Sequence, residues 1–325
     1  MPQDRIEIPI FYGTYSDLTR IDLNFMNGKI VTYKGRHFRD YIKKMVHDDQ
    51  FLWCYNSATS DLKERHFYVD NSIKKYAIVP IDFEKPFLTE HWQHFHQMLL
   101  SIYPSDFSLI EILYFNLSKE KYTSGGKAFF SLSQSGEGMF DNFMFIDGKE
   151  LRFVRTYLNN YFFSSLQLNY VKYILGTYMN SYREANPIYQ YLSLIICLEA
   201  TIEGNEQLSY RLKRNVALIC GSSVRTCRKI FDNVGQLYKL RSAIVHGNIN
   251  PSYKNFKEYH DYLKTLVGRL IRELIIHNIS NLQLLNEKVT ELGYGQGHLI
   301  SQNYSPSEYP FLENIRLTYK AIQKY

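Results

Sequence analysis

The spacing of apolar positions changes near residue 150. Before it, short β-prone runs such as RHFYVD (65–70), KYAIVPIDF (75–83) and KAFFSLS (127–133) sit between turn signals, the pattern of strands in a mixed domain. A helix is expected over TEHWQHFHQMLLSIY (89–103), with Thr89 as its N-cap and Pro104 beyond its end. Gly125-Gly126 and SQSGEG (133–138) read as loops, and MFDNFMFIDGKELRF (139–153) as a hairpin turning at Asp147-Gly148.

Past residue 150 the apolar period becomes helical and breakers are few. LRFVRTYLNNYFFSSLQLNYVKYILGTYMNSY (151–182) is long enough for one or two helices, and NPIYQYLSLIICLEATIEG (186–204) is an apolar helix with Pro187 near its start. EQLSYRLKRNVALICG (206–221) follows, with Gly221 placed as a C-cap. VRTCRKIFDNVGQLYKLRSAIVHG (224–247) is next, with a bend expected at Asn233 to Gly235, and then the long amphipathic stretch 256–279. The chain from about residue 286 reads as loop until a last short helix within LENIRLTYKAIQKY (312–325). The expected architecture is an α+β N-terminal domain, residues 1–150, followed by an all-α helical bundle, residues 151–325, a size suited to two cores.

Composition narrows the class of protein without identifying it. Apolar residues at 45% and charged residues at 22% fit a folded globular chain. The 28 Tyr and 21 Phe read as a bias of composition more than as a binding surface. No apolar run reaches the ~18 residues a bilayer requires, and MPQDRIEIPIF has neither the basic region nor the apolar stretch of a signal peptide, so a cytoplasmic protein without a membrane segment is expected. Cys54, Cys197, Cys220 and Cys227 form no CxxC pair, and His91, His94 and His96 do not share one helix face, so no metal site is expected. The three histidines read as a solvated or half-buried face.

Charge is the more informative property. Residues 1–150 carry 17 Lys and Arg against 20 Asp and Glu, and residues 151–325 carry 21 against 12, so the net +6 is −3 in one half and +9 in the other. Between Gln207 and His246, Arg211, Lys213, Arg214, Arg225, Arg228, Lys229, Lys239 and Arg241 face only Asp232. Such a stretch suits a phosphate backbone, or is a solvated helix face. A DNA-binding regulator is the weaker use of it, because no helix-turn-helix pattern is evident.

YKLRSAIVHGN (238–248), preceded by YLSLIICLEATIEGNEQLSYRLKRNVALICG (191–221), resembles the HEPN family in its Apea-like branch, through the RxxxxH signature at a helix end after a Glu-bearing and an Arg-bearing helix. The resemblance covers about residues 180 to 280. It implies a helical bundle that forms a homodimer and cleaves RNA without metal or cofactor, in a toxin or phage-defence setting, with the N-terminal domain as sensor or restraint and a protein trigger or inhibitor as a further partner. By position, Arg241 and His246 would be the catalytic pair and Glu199 a supporting residue. Ser242 stands where many members have Asn, Asp or His, which leaves a catalytically silent module binding RNA or a partner protein as the alternative.

The residue types suit that chemistry on their own terms. An RNA 2′-hydroxyl can attack the adjacent phosphorus, so the enzyme need only move protons and stabilise charge. Histidine is the residue type suited to proton transfer at neutral pH, so His246 can take the 2′-hydroxyl proton or donate to the leaving 5′-oxygen, and Arg241 offers a planar fork to phosphate oxygens, with Arg211, Arg214 and Lys239 as candidate RNA contacts. The plainer readings are an Arg241 paired with Glu199 or Asp232, and a His246 favoured by a helix C-terminus.

Overall fold

The computed structural model describes residues 4–59, 73–129, 144–204, 206–247, 253–293 and 308–318. They group into two compact units. The first takes the described residues of 4–96, 105–129 and 144–155, and the second takes 97–104 and the described residues from 156 onward.

The first unit is built on an antiparallel sheet of six strands in the order β2-β3-β4-β1-β5-β6. These are β1 (Arg5–Thr14), β2 (Asp22–Leu23), β3 (Gly28–Thr32), β4 (Lys74–Pro80), β5 (Ser108–Ser118) and β6 (Lys121–Phe129). Central β1 pairs Ile10 with Ala77 of β4 and Ile8 with Leu113 of β5. Alternation sends Ile6, Ile8 and Ile10 to one face, where they pack with Phe38 and Ile42 of α1 (Arg36–Met45) and Cys54 of α2 (Phe51–Thr59). Phe11 points the other way, stacking on Phe107 at 5.2 Å and meeting Trp92 edge-on, from the first turns of α3 (Thr89–Ile102).

Three expectations for this unit are corrected. Gly125 and Gly126 lie inside β6, where the register against β5 shifts between Tyr114 and Phe115, and the reversal comes earlier, where Lys119 takes a left-handed φ of 61°. Asp147 turns no hairpin: its Oδ1 accepts from the amides of Lys149 and Glu150 at 2.8 and 2.9 Å and so caps α4 (Gly148–Ser165), while Met144 bridges to Thr14. His94 and His96 are buried, not solvated; Nε2 of His96 donates to the Phe107 carbonyl at 2.8 Å, a bond that makes burial affordable for an imidazole. RHFYVD and SQSGEG fall outside the described residues.

The second unit is helical: the later turns of α4, then α5 (Asn169–Arg183), α6 (Pro187–Glu199), α7 (Leu208–Cys220), α8 (Val224–Val245), α9 (Tyr253–Ile276), α10 (Leu282–Gly293) and α11 (Glu308–Asn314). Asn186 caps α6 by accepting from the Ile188 amide, with Pro187 in the first turn where its missing N–H costs nothing. α8 runs unbroken through Asn233 and Gly235, because buried Val234 and Leu237 hold that turn in the core. The chain stays helical past residue 286 to Gly293, where a loop was expected, and the last described helix, Glu308–Asn314, lies near the expected stretch.

α9 is buried nearly all round. Phe256, Leu263, Leu266, Val267, Leu270 and Ile271 form its apolar side, yet Arg269, Arg272 and Glu273 are fully buried as well, with Arg269 Nη2 2.7 Å from Glu273 Oε1. The amphipathic pattern pointed to a solvated polar face. Here that face is buried because its charges are paired internally. Residues 97–104 lie in the same core: Tyr178 donates to the Leu100 carbonyl at 3.1 Å, and Gly268 comes so close to Ser101 that a Cβ would stand 2.4 Å from its carbonyl oxygen.

Two outcomes follow. Gly268→Ala should destabilise the chain by about 1–3 kcal/mol, since the backbone clash outweighs a helix-propensity gain of about 1 kcal/mol, whereas Gly176→Ala in α5, with open space at its Cβ, should show only that gain; urea unfolding measures both. Burial pushes the His260 imidazole from 6.5 down to about 4, so between those values the unfolded chain binds the proton that the folded chain refuses. The stability His260 provides by staying neutral is therefore complete above pH 6.5 and is lost as pH falls toward 4, by up to about 3 kcal/mol. His260→Gln should flatten the melting temperature across that window.

Candidate functional site

The chain leaving α6 is fixed by side chains that reach the carbonyls just past the helix. Tyr170 of α5 donates to the Ala200 carbonyl at 2.6 Å, and the buried amide of Asn215 on α7 donates to the Thr201 carbonyl at 2.8 Å. Burial pushes the Tyr170 phenol well up, so it remains a donor. Glu199, the last residue of α6, is thereby held facing α8.

α8 is pinned to the same helix by one buried bond. Tyr191 of α6 donates to the Leu237 carbonyl at 2.7 Å, the carbonyl that the Arg241 amide addresses in an α-helix, while its ring packs 5.0 Å from Phe256 of α9. One turn on, Arg241 Nε lies 3.2 Å from Glu199 Oε1, both side chains being between a quarter and a third exposed. A carboxylate at a helix C-terminus faces the negative end of the dipole, so the guanidinium offsets an unfavourable position. Pairing through Nε leaves both Nη groups, with four donors, able to form a fork on phosphate oxygens. The guanidinium also stands 5.8 Å from the Tyr238 ring centroid.

His246 is the C-cap of α8, at φ −86° and ψ 6°, with its amide bonded to the Ser242 carbonyl at 3.1 Å. Gly247 follows at φ 70°, a left-handed turn open to glycine at no cost, and its amide bonds to the Ile244 carbonyl. His246 is exposed and Ser242 half-buried. Five positions apart on one helix, His246 and Arg241 are separated by about 140° around the axis, so only the latter faces Glu199.

The other candidates diverge. Arg211 donates through Nη1 to the Glu203 carbonyl and closes the link between α6 and α7. The Arg214 guanidinium lies against Gly293 at the end of α10. Lys239 is exposed on α8. Asp232 lies elsewhere along α8 and makes no ion pair with Arg241, whose partner is Glu199. Tyr170, Tyr191 and Asn215, which set the geometry, carry no mark in the sequence beyond being polar groups at core positions of helices. Among the described residues no helix is long and apolar enough to cross a membrane, no His, Cys, Asp and Glu cluster is placed to hold a metal ion, and none of the four cysteines is in a disulfide.

Compared with protein-family models, with curated proteins and with solved structures, the chain matches none.

The bonds that hold α6 should matter more to stability than the ion pair they position. Asn215→Leu leaves the buried Thr201 carbonyl without its donor and should cost about 1–3 kcal/mol, while Glu199→Gln, at a partly solvated pair, should cost less than about 1 kcal/mol in the same unfolding assay.

Proposed function

We propose that this chain is a metal-independent endoribonuclease of the HEPN type, working as a homodimer through its helical unit. The observation that carries the reading is that Glu199 holds Arg241 through Nε at 3.2 Å, a geometry that leaves the Nη donors to serve a phosphate. An exposed imidazole at the end of the same helix supports it.

In this reading the 2′-oxygen of RNA forms a bond to phosphorus as the bond from phosphorus to the 5′-oxygen breaks. The 2′-hydroxyl proton leaves to a base and a proton reaches the 5′-oxygen, His246 serving one of these transfers. Arg241, its Nε held by Glu199, offers its Nη donors to the charge gathering on the phosphate oxygens. Glu199 is a positioning residue, since it acts through Arg241. The toxin or phage-defence setting, and the sensing or restraining role of the N-terminal unit, rest on the family resemblance. Ser242 keeps a silent RNA- or protein-binding module as the second reading, which the same assay separates.

The test is purified protein incubated with a mixed RNA pool, with cut ends sequenced. Cleavage should persist in excess EDTA and leave 2′,3′-cyclic phosphate and 5′-hydroxyl ends. His246→Ala and Arg241→Ala should each reduce the rate at least about a hundredfold, the scale of one general acid–base or charge-stabilising group. Arg241→Lys should not restore it, because an ammonium cannot form the fork. Parental rates in His246→Ala, or full dependence on added Mg²⁺, would overturn the assignment.

A further inference from the structure

Three arginines converge on one groove at the end of α8 far from His246. The groove, of about 520 Å3, is lined by Arg225, Arg228, Lys229, Asp232 and Asn233 of α8 and by Arg316, beyond α11. Two of these side chains build the groove. Lys229 Nζ donates to the Glu313 carbonyl at 2.6 Å. The buried Asn233 amide holds the chain on both sides of Arg316, donating to the Ile315 carbonyl and accepting from the Leu317 amide, each at 3.0 Å. Arg316 is thus presented from a backbone already fixed.

Arg225, Arg228 and Arg316 are exposed, and none makes an ion pair among the described residues. Asp232 is the one carboxylate residue lining the groove. Glu313, beside it, has its carboxylate taken by the Thr226 hydroxyl. Four cationic residues, the three arginines and Lys229, gathered in one concavity against Asp232 make the local potential positive, and guanidinium forks suit phosphate oxygens better than they suit each other.

The position of the groove says which polyanion fits. At 100° per residue, Arg225, Arg228, Lys239 and His246 fall within about 60° of one another around α8, so these four exposed side chains, with Asp232 among them, lie along one side of the helix from the groove to the imidazole, about 27 Å from Arg228 to His246. An acidic peptide would need only the groove, whereas a nucleic-acid strand would use that side of the helix. We propose that the groove holds backbone phosphates of a single-stranded RNA several nucleotides from the bond to be cut, with α8 spanning the distance. This rests on the ribonuclease reading above and specifies the substrate: RNA long enough to reach both ends of α8.

Binding, measured apart from cleavage, tests it. In full-length protein carrying His246→Ala, anisotropy of labelled single-stranded RNAs of graded length should show affinity rising until the strand spans the helix. Adding Arg225→Ala, Arg228→Ala and Arg316→Ala should remove that rise, weaken binding of the long RNA by about tenfold or more, and make its salt dependence shallower by about two in log–log slope. Asp232→Asn, which removes the groove's negative charge, should tighten binding severalfold. If the triple variant binds long RNA with unchanged affinity and salt slope, the groove assignment is overturned while the ribonuclease reading stands. A parent chain that cuts no RNA but binds it in a groove-dependent way would overturn only the ribonuclease reading. Tighter binding of polyglutamate than of RNA would give the groove to an acidic polypeptide and overturn the proposal.

Discussion

A chain that leaves a helix inside a protein must find donors for its carbonyls, and the way the residues just past α6 do so determines the surroundings of Arg241. The Ala200 and Thr201 carbonyls are taken by Tyr170 and Asn215, from α5 and α7, so three helices meet where α6 stops. With those bonds made, Glu199 has no freedom to move along the axis. Its carboxylate, unfavourable at that end of a helix, is matched by a guanidinium whose own helix is held by Tyr191 one turn earlier. The ion pair is the visible part of the arrangement. The buried neutral bonds are what place it, because an exposed pair alone contributes too little to hold two helices in register.

The same unit accepts a much larger electrostatic cost in α9. Arg269, Arg272 and Glu273 are fully buried, and removing such charges from water costs several kcal/mol each before pairing returns part of it. The pairing at 2.7 Å and the close passage of residues 97–104 at Gly268 occupy adjacent turns. A longer side chain at 268 would separate backbones that now nearly touch. The close approach at Gly268 is what restricts how these segments can be assembled, while the Arg269–Glu273 pair, internal to α9, offsets part of the cost of burying its own charges.

Much of this was legible in the sequence, and what was not has common physical causes. The α+β then all-α order, the start of α6 and the end of α7 at Gly221 follow from period and caps, which are local. Asp147 was misread because an Asp-Gly pair serves a hairpin and a helix cap equally well, and only the following residues, engaged by its carboxylate, decide between them. The expected bend in α8 failed for the opposite reason: Asn233 and Gly235 are poor helix formers, but core contacts at Val234 and Leu237 and the hold of Asn233 on residues 315 and 317 override propensity. His94, His96 and the buried charges of α9 look like surface to any periodicity argument, because a polar side chain at a core position carries no mark of the bond that lets it be buried, such as those of His96 to the Phe107 carbonyl and of Arg269 to Glu273. The Glu199 and Arg241 pairing was legible because a carboxylate in an apolar helix demands a cation. Arg211 and Arg214 were indistinguishable from Arg241 by charge alone, and the structure spends both within the fold.

Arg316 extends that point. A count of basic residues along 207–246 identifies Arg225 and Arg228, but their neighbour lies some ninety positions later, in chain that carries no periodic signal. What joins them is Asn233, whose amide pairs with that later segment much as a strand would, and so adds a third arginine to a helix that already had two. Among the described residues none of the three arginines makes an ion pair, and Asp232 is the carboxylate residue lining their groove, whereas the Arg241 charge is neutralised by Glu199. The two ends of α8 therefore differ in kind: one holds a guanidinium in a fixed orientation with a single neutralised charge, and the other gathers uncompensated positive charge. Orientation is the requirement of a reacting phosphate, and accumulated charge is the requirement of capture, since field strength governs encounter while geometry governs the transition state.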